Sequence, residues 1–353
     1  MITLKLNKVP VLFVQGFSRE DTRAIVDFVR EANQMTTTFK DTVLFIDTPA
    51  TPHLVEAVEY LKTEGLKVVF RDHHRVSGAS NNIRDEQKLK ATEKLERLLG
   101  DDCLITYRDL HPACSTLVEA GEFADALAII ADPDADGLTA AMKAAGIHYP
   151  ELDDDAALLD SEPAMQVKGS RISRLLALGL STLPSYDPAR PREREACQQR
   201  LFSDWVQAVQ GSDEALNRLQ EAESIYENAV AVAGYLAARA RTIAPGAVLV
   251  DATESDIFDM GSLTQLVEQE PDNLILVLIK DKGPIAAHFG VQYSLSVSRQ
   301  AKDDIDLRRL LPENAVNDPA CGVISNVSFL LHVSEPVWSD HILPGLKGGK
   351  HCL

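Results

Sequence analysis

The 353-residue chain is defined first by what it lacks. It has five cysteines, Cys103, Cys114, Cys197, Cys321 and Cys352, and no two of them form a C-x-x-C pair. An odd count without that spacing argues against a disulfide frame or a zinc knuckle and favours reduced thiols. No apolar run approaches the roughly 18–20 residues that a membrane helix needs. The N-terminal stretch "MITLKLNKVPVLFVQG" lacks the charged, apolar, then small-residue order of an export signal, so a cytoplasmic location is expected. Positive charge is also scarce: the formal net charge is −18. A protein that holds long nucleic acid usually offers a basic stripe to the phosphates. The charge balance here favours a small phosphorylated ligand or a short oligonucleotide and disfavours a long strand or a membrane surface. No internal repeat of solenoid length is visible.

What is present is an alternation of apolar runs and amphipathic stretches. "VPVLFVQGF" (9–17), "TVLFIDTPATP" (42–52) and "LKVVFRDHH" (66–74) each lead into a segment with apolar residues three and four apart. Continuous runs rich in Val, Ile, Leu and Phe suit strands buried on both faces, and the spacing that follows suits helices. "DCLITY" and "ADALAIIA" read as further strands and "LTAAMKAAG" as a helix. The pattern predicts an α/β protein with an open parallel sheet. After residue 150 the texture changes. "STLPSYDPARPRERE" reads as a surface linker, and the region from "LFSDWVQAVQ" to "GYLAARART" reads as two helices broken near "QGSD". Strand-like runs resume at "AVLVDAT". The expected organisation is a first domain over 1–190, a helical connector over 191–244 and a smaller α/β domain over 245–353, with the active-site cleft between the domains.

Ligands in an open parallel sheet collect beyond the carboxyl ends of the strands. Asp47 ends "VLFID", Asp72, His73 and His74 end "VVFRDHH", and Asp132, Asp134 and Asp136 follow "ALAIIA". Three strands thus deliver acids and histidines to one edge. Carboxylates suit Mn²⁺ or Mg²⁺, and imidazole moves the preference toward Mn²⁺, Fe²⁺ or Zn²⁺. Two such ions would clamp a phosphoryl group and activate water. Plainer readings exist: Asp47 or Asp136 could cap a helix, and "DPDADG" opens like a calcium loop, although Lys143 occupies the twelfth position where that loop needs a glutamate. His111, Cys114 and Ser115 lie together in "HPACSTLVEA", which reads as a helix start capped by Ser115 rather than as a nucleophile. Arg171 and Arg174 read as a solvated helix face and "KDKGP" (280–284) as a turn.

"RDHH" after a buried strand, with "FID" on the preceding one, resembles the DHH phosphoesterase superfamily, which includes RecJ-type exonucleases, oligoribonucleases, exopolyphosphatases and pyrophosphatases. "DPDADGLTAA" is similar to the Asp-rich first motif of the RecJ-type members. "YSLSVSRQAKDDIDLRRLLPENAVNDPACG" resembles the DHH-associated domain, with Arg299 matching its arginine and "NDPACG", ending at Gly322, standing where its glycine-rich loop binds substrate. The resemblance covers most of the chain and implies a hydrolase of phosphoester bonds that uses Mn²⁺ or Mg²⁺, with two ions expected. Asp47 would bridge them, His73 would ligate, Asp72 would orient the histidines, His74 would contact phosphate, and Arg299 and Gly322 would hold substrate. The order of motifs departs from the family. The first strand ends in "VQGFSRED" without the Asp-rich motif, which instead follows the DHH triplet by some sixty residues. Either Asp132, Asp134 and Asp136 have taken over as ligands, or Asp132 is the family's fourth-motif acid and the first motif is lost. The first case implies an enzyme. The second implies a protein on the same fold that binds a nucleotide or partner without hydrolysis. Self-association as a homodimer is compatible with either.

Overall fold

The computed structural model describes the chain except residues 15, 17, 77–82, 162–168, 185–189, 256–257, 271, 280–289, 302–303, 312–321, 328–329 and 349–353. The turn expected at 280–284 and most of "NDPACG" lie outside the described residues. The chain forms two compact units. The first holds residues 1–162, 166–180 and 195–220, and the second is built chiefly from 221–353.

The first unit opens with a hairpin, β1 (Ile2–Leu6) and β2 (Val9–Phe13), paired antiparallel in the register Leu6↔Val9. The two linking residues, Asn7 and Lys8, both have positive φ (44° and 77°). That is the twist a two-residue hairpin turn demands. The hairpin is absent from the sequence reading, because Asn-Lys lacks the glycine that usually announces such a turn.

Helix α1 (Arg19–Met35) follows, capped by Ser18 and Asp21 in a reciprocal box. Then come β3 (Thr42–Ile46), α2 (Pro52–Thr63), β4 (Lys67–Asp72), α3 (Ile83–Leu99), β5 (Cys103–Ile105), β6 (Ala128–Ala131) and α4 (Ala135–Ala144). The strand order is β1-β2-β6-β3-β4-β5, and every pairing beyond the hairpin is parallel. The fold is therefore α/β with a mostly parallel six-stranded sheet, as the apolar runs imply. Alternate residues split the sheet into two faces. Leu12, Val43, Phe45, Phe70 and Ile130 pack under α1, α2 and α3, with Phe45 stacked on Phe70 at 5.7 Å. On the opposite face Phe13 meets the buried Phe202 edge to face at 5.1 Å.

Because β6 inserts between β2 and β3, the carboxyl ends of β6, β3 and β4 are neighbours. The three acid-bearing tips therefore come together although about 60 residues of chain separate the second from the third. No helix among the described residues is long and apolar enough to cross a membrane.

The middle of the chain is helical: α5 (Pro150–Ser161), α6 (Arg171–Ser181), α7 (Pro191–Val209), α8 (Asp213–Glu221) and α9 (Glu223–Ala237). The expected break falls at 210–212, but a second break at Ala222 makes three helices where two were expected. The stretch read as linker is already helical from Pro191, whose fixed φ suits the first turn. Arg171 and Arg174 are exposed, as a solvated face requires.

The second unit is a six-stranded mixed sheet, ordered β11-β12-β10-β9-β8-β7. Its strands are β7 (Arg241–Ala244), β8 (Ala247–Asp251), β9 (Ile275–Ile279), β10 (Tyr293–Val297), β11 (Val323–Val327) and β12 (Leu330–Val333). Only β8 and β9 run parallel among these pairs. One face packs on α9 and α10 (Met260–Glu268), and the other on the C-terminal helical segment, where Trp338 stacks on Tyr293 at 4.6 Å.

Candidate metal centre

Each acid-bearing strand delivers its residue by a different local device. Asp47 follows β3 in the left-handed region, with φ +55°. Aspartate tolerates that region better than most residues, but it still costs free energy, and such strain concentrates at functional sites. The backbone N–H of Asp47 donates to the Arg71 carbonyl at 3.0 Å, which holds the bend against β4. Asp72 is the last residue of β4. The segment after it is tied to the chain beyond β5: Thr106 N–H donates to the Asp72 carbonyl and Arg75 N–H to the Thr106 carbonyl, both at 2.9 Å. Beyond β6 the chain turns into α4. There Asp134, not Asp136, caps the helix: its Oδ1 accepts from Gly137 N–H at 2.8 Å. Gly137 has no room for a side chain, since a Cβ there would collide with the Asp132 carbonyl.

Asp47, Asp72, His73 and Asp136 are all buried. His73 Nδ1 lies 2.7 Å from the His111 carbonyl, which can only accept, so Nδ1 carries the proton. That leaves a lone pair on Nε2, and Nε2 faces Asp47 Oδ1 at 3.4 Å and Asp136 Oδ2 at 3.5 Å. Three acceptors turned toward one another are repulsive unless a proton or a cation lies among them. No nitrogen or oxygen donor reaches either Asp47 oxygen, and the weakly donating Cys114 thiol lies against it. Asp136 accepts from Cys114 N–H at 3.1 and 2.8 Å. Burial, reinforced by the charges of Asp136, Asp134, Asp72 and Asp132, pushes the Asp47 carboxyl well above its usual range. Burial holds His73 down at about 4, against the opposing pull of the His111 carbonyl.

His74 is arranged differently. Its Nδ1–H donates to Asp72 Oδ1 at 2.7 Å, and Arg108 Nη2 donates to its Nε2 at 3.0 Å. Asp72 thus sets the tautomer of His74, a supporting role familiar from metal and catalytic sites.

Among the described residues two groups gather ligand atoms within 4.8 Å of one another: Asp47, His73, Cys114 and Asp136, and Asp47, Asp72 and His74. They share Asp47. These donors fit divalent cations, so a buried Asp/His/Cys cluster able to hold metal stands where the sequence places one. No family model matches the chain, and no curated protein matches it.

The sequence-predicted residues divide accordingly. Asp47, Asp72, His73, His74 and Asp136 are brought together. Asp132 and Asp134 belong to neither group but lie close enough to act on Asp47 through charge. Arg299 lies in the second unit, in a 3₁₀ turn (Arg299–Ala301) after β10. Gly322, also in that unit, has φ +73° and leads into β11, and its carbonyl accepts from Ser334 N–H at 2.9 Å.

Two residues were missed. Arg108 carried no motif. Cys114 was set aside with its loop as a helix start, whereas the loop is a 3₁₀ turn (Cys114–Leu117) with no side-chain cap and with Ser115 buried inside it. What ties this loop to the site is its backbone, through the His111 carbonyl and the Cys114 N–H, and residue identities do not reveal backbone contacts.

Proposed function

We propose that this protein is a metal-dependent phosphoesterase of the DHH type. It would hydrolyse a small phosphate ester or anhydride, such as a dinucleotide, a short oligonucleotide or polyphosphate. The observation that carries the reading is the Asp47 carboxylate, buried beyond reach of any nitrogen or oxygen donor and facing the His73 Nε2 lone pair. A buried carboxylate left in that state is expensive unless a cation completes it. Asp47, His73 and Asp136 would hold one ion, and Asp47, Asp72 and His74 a second, with Asp47 shared as a bridging acid is. For the second, oxygen-rich group Mn²⁺ is the first choice and Mg²⁺ the alternative. Bound divalent ions supply polarisation of a phosphoryl oxygen and acidification of water.

The rest of the reading concerns this chain's own side chains. In the metal-free chain Asp72 holds the proton on His74 Nδ1, and a second ion bound through that nitrogen would displace it. Arg108, on His74 Nε2, brings a planar guanidinium suited to paired phosphate oxygens. That guanidinium would neutralise charge that develops on the phosphoryl group. Arg299 and Gly322 carry the corresponding proposal for phosphate contacts in the second unit. The net charge of −18 supports a short substrate over a long strand.

A second reading has its own observation. Asp134 is occupied as the cap of α4, and both ring nitrogens of His74 are already engaged. A site that holds one ion or none would bind a nucleotide without cleaving it.

The test is turnover of a panel of dinucleotides, short oligonucleotides and polyphosphate by the full chain, before and after chelation, with His74→Ala as control. Hydrolysis that chelation removes, Mn²⁺ restores and His74→Ala lacks supports the enzyme. Tight metal binding without turnover on any substrate supports the binding protein instead. No metal binding sinks the enzyme and leaves only nucleotide binding without hydrolysis.

A further inference from the structure

Beyond the oxygen and nitrogen donors, the first group contains a thiol. Cys114 is buried, and its sulfur lies within 4.8 Å of the ligand atoms of Asp47, His73 and Asp136. A buried cysteine is usually just a small apolar residue. Here its loop is fastened to the site at three separate points. The His111 carbonyl takes the His73 Nδ1–H at 2.7 Å, the Cys114 N–H donates to Asp136 Oδ2 at 2.8 Å, and the Ser115 carbonyl takes Lys143 Nζ at 2.9 Å. Two of these bonds engage the very side chains that share the cluster with the sulfur. The fully buried Asp47 carboxylate, which no nitrogen or oxygen donor reaches, points into the same space with the Cys114 thiol against it.

We propose that Cys114 is a sulfur ligand, and that Asp47, His73, Cys114 and Asp136 form a closed four-coordinate zinc site. This rests on the metal reading above. The donor set is one thiol, one imidazole and two carboxylates, the mixed N/O/S set of zinc rather than of Mn²⁺ or Mg²⁺. The spacing agrees. Tetrahedral donors on bonds of about 2.0–2.3 Å stand roughly 3.3–3.8 Å apart, whereas adjacent octahedral donors on bonds of about 2.1 Å stand roughly 3.0 Å apart. His73 Nε2 is 3.4 Å from Asp47 and 3.5 Å from Asp136.

Four protein donors and full burial leave no position for water, which is the mark of a structural ion. The ion would pin the ends of β3 and β4, the 111–117 loop and the first turn of α4 to one point. Chemistry would fall to the other group, where the His74 side chain keeps 19% of its surface exposed. On binding, the Cys114 S–H bond breaks, the proton passes to solvent, and the sulfur electron pair forms the bond to Zn²⁺ with no change of oxidation state.

The full chain produced with Co²⁺ in place of Zn²⁺ supplies the test, because cobalt bound by thiolate shows a sulfur-to-metal charge-transfer band in the near ultraviolet. The band is expected in the native sequence and in a variant with Cys103, Cys197, Cys321 and Cys352 all changed to serine. It should vanish in Cys114→Ser. Zinc should displace cobalt stoichiometrically, a 100-fold excess of Mn²⁺ should not, and Cys114→Ser should weaken zinc binding at least 100-fold. If Cys114→Ser does not fold, the four-serine variant decides: a band there can come only from Cys114, and its absence overturns the proposal. Cobalt bound without the band, and with equal affinity in Cys114→Ser, overturns the sulfur ligand and leaves the metal reading intact. Failure to bind cobalt or zinc at all overturns the metal reading itself.

Discussion

Replacing Asp47 with asparagine should invert an order of stability. Asparagine accepts the same left-handed backbone at φ +55°, so the change isolates the charge. In the metal-free protein it removes a carboxylate that sits buried among other acids, beyond reach of any nitrogen or oxygen donor. It also offers an N–H₂ group to the His73 lone pair 3.4 Å away. Relief of one unsatisfied buried group is about 1–3 kcal/mol. For a unit of this size that is roughly 2–4 °C in Tm per kcal/mol. Metal-free Asp47→Asn should therefore melt above the native protein at pH 7. With a divalent ion at a hundredfold over its dissociation constant, the native protein gains about 2.7 kcal/mol. The variant, missing a shared ligand, gains little and falls below it.

The pH dependence carries the same signature. A carboxyl raised in the folded state adds stability below its unfolded pKa near 4 and loses it as pH climbs toward the folded value, by up to about 1.4 kcal/mol per pH unit. A histidine lowered to about 4 does the opposite, adding stability above 6.5 and losing up to about 3 kcal/mol as pH falls from 6.5 to 4. In the native metal-free protein these slopes oppose each other between pH 4 and 6.5. In Asp47→Asn the His73 slope stands alone, so the variant should weaken on acidification more steeply than the native chain. Urea melts followed by circular dichroism, from pH 4 to 8 with chelator and with metal, read all of this. A variant less stable than the native protein in chelator, or equally stabilised by metal, would refute Asp47 as a ligand.

Substitutions at three further positions separate roles that lie close in space. Asp134→Ala should cost about 1 kcal/mol in urea melts by removing the α4 cap, and Asp134→Ser should recover it while dropping the charge. If Asp134 were a ligand instead, both variants would lose metal alike in equilibrium dialysis. Asp72→Ala should remove the acceptor that fixes His74, so ¹⁵N NMR of the ring should show the proton no longer confined to Nδ1, and turnover should drop at least about tenfold. An unchanged tautomer would show that Asp72 does not orient the ring. Gly137→Ala should destabilise the first unit by about 1–3 kcal/mol because the added methyl meets the Asp132 backbone; a neutral melt would mean that the turn before α4 yields freely.

The parts of this protein that were legible in its sequence are those encoded by neighbours along the chain. Val43–Ile46, Val68–Phe70 and Ala128–Ala131 are buried on both faces, and their apolar runs say so. The acids stand directly after those runs, so their common edge could be inferred from parallel topology alone. What stayed hidden depends on residues distant in sequence or on backbone groups. The Asn7–Lys8 turn uses left-handed residues that give little warning. The Asp134 cap was obscured by three acids at alternate positions, any of which could cap, and only Gly137 N–H shows which one does. Cys114 joins the cluster through its own N–H and the His111 carbonyl, features every residue has.

The distribution of charge explains why a cation, rather than protonation alone, makes sense of the site. Asp72, Asp132, Asp134 and Asp136 all act on Asp47. The one buried amine among the described residues, Lys143, is held by the Ser115 carbonyl at 2.9 Å and Asp153 at 2.7 Å. A proton could neutralise Asp47, but it would satisfy one of several acceptors and leave the His73 lone pair and Asp136 facing each other at 3.5 Å. A divalent ion would satisfy Asp47, His73 and Asp136 at one point. Free energy lost to the strained Asp47 backbone and to burial of the carboxylates would then be recovered together, on binding. A fold that needed only stability would have replaced these acids with apolar residues of similar size. Their placement at adjoining strand ends, turned toward one another, is the physical reason to look for bound metal first.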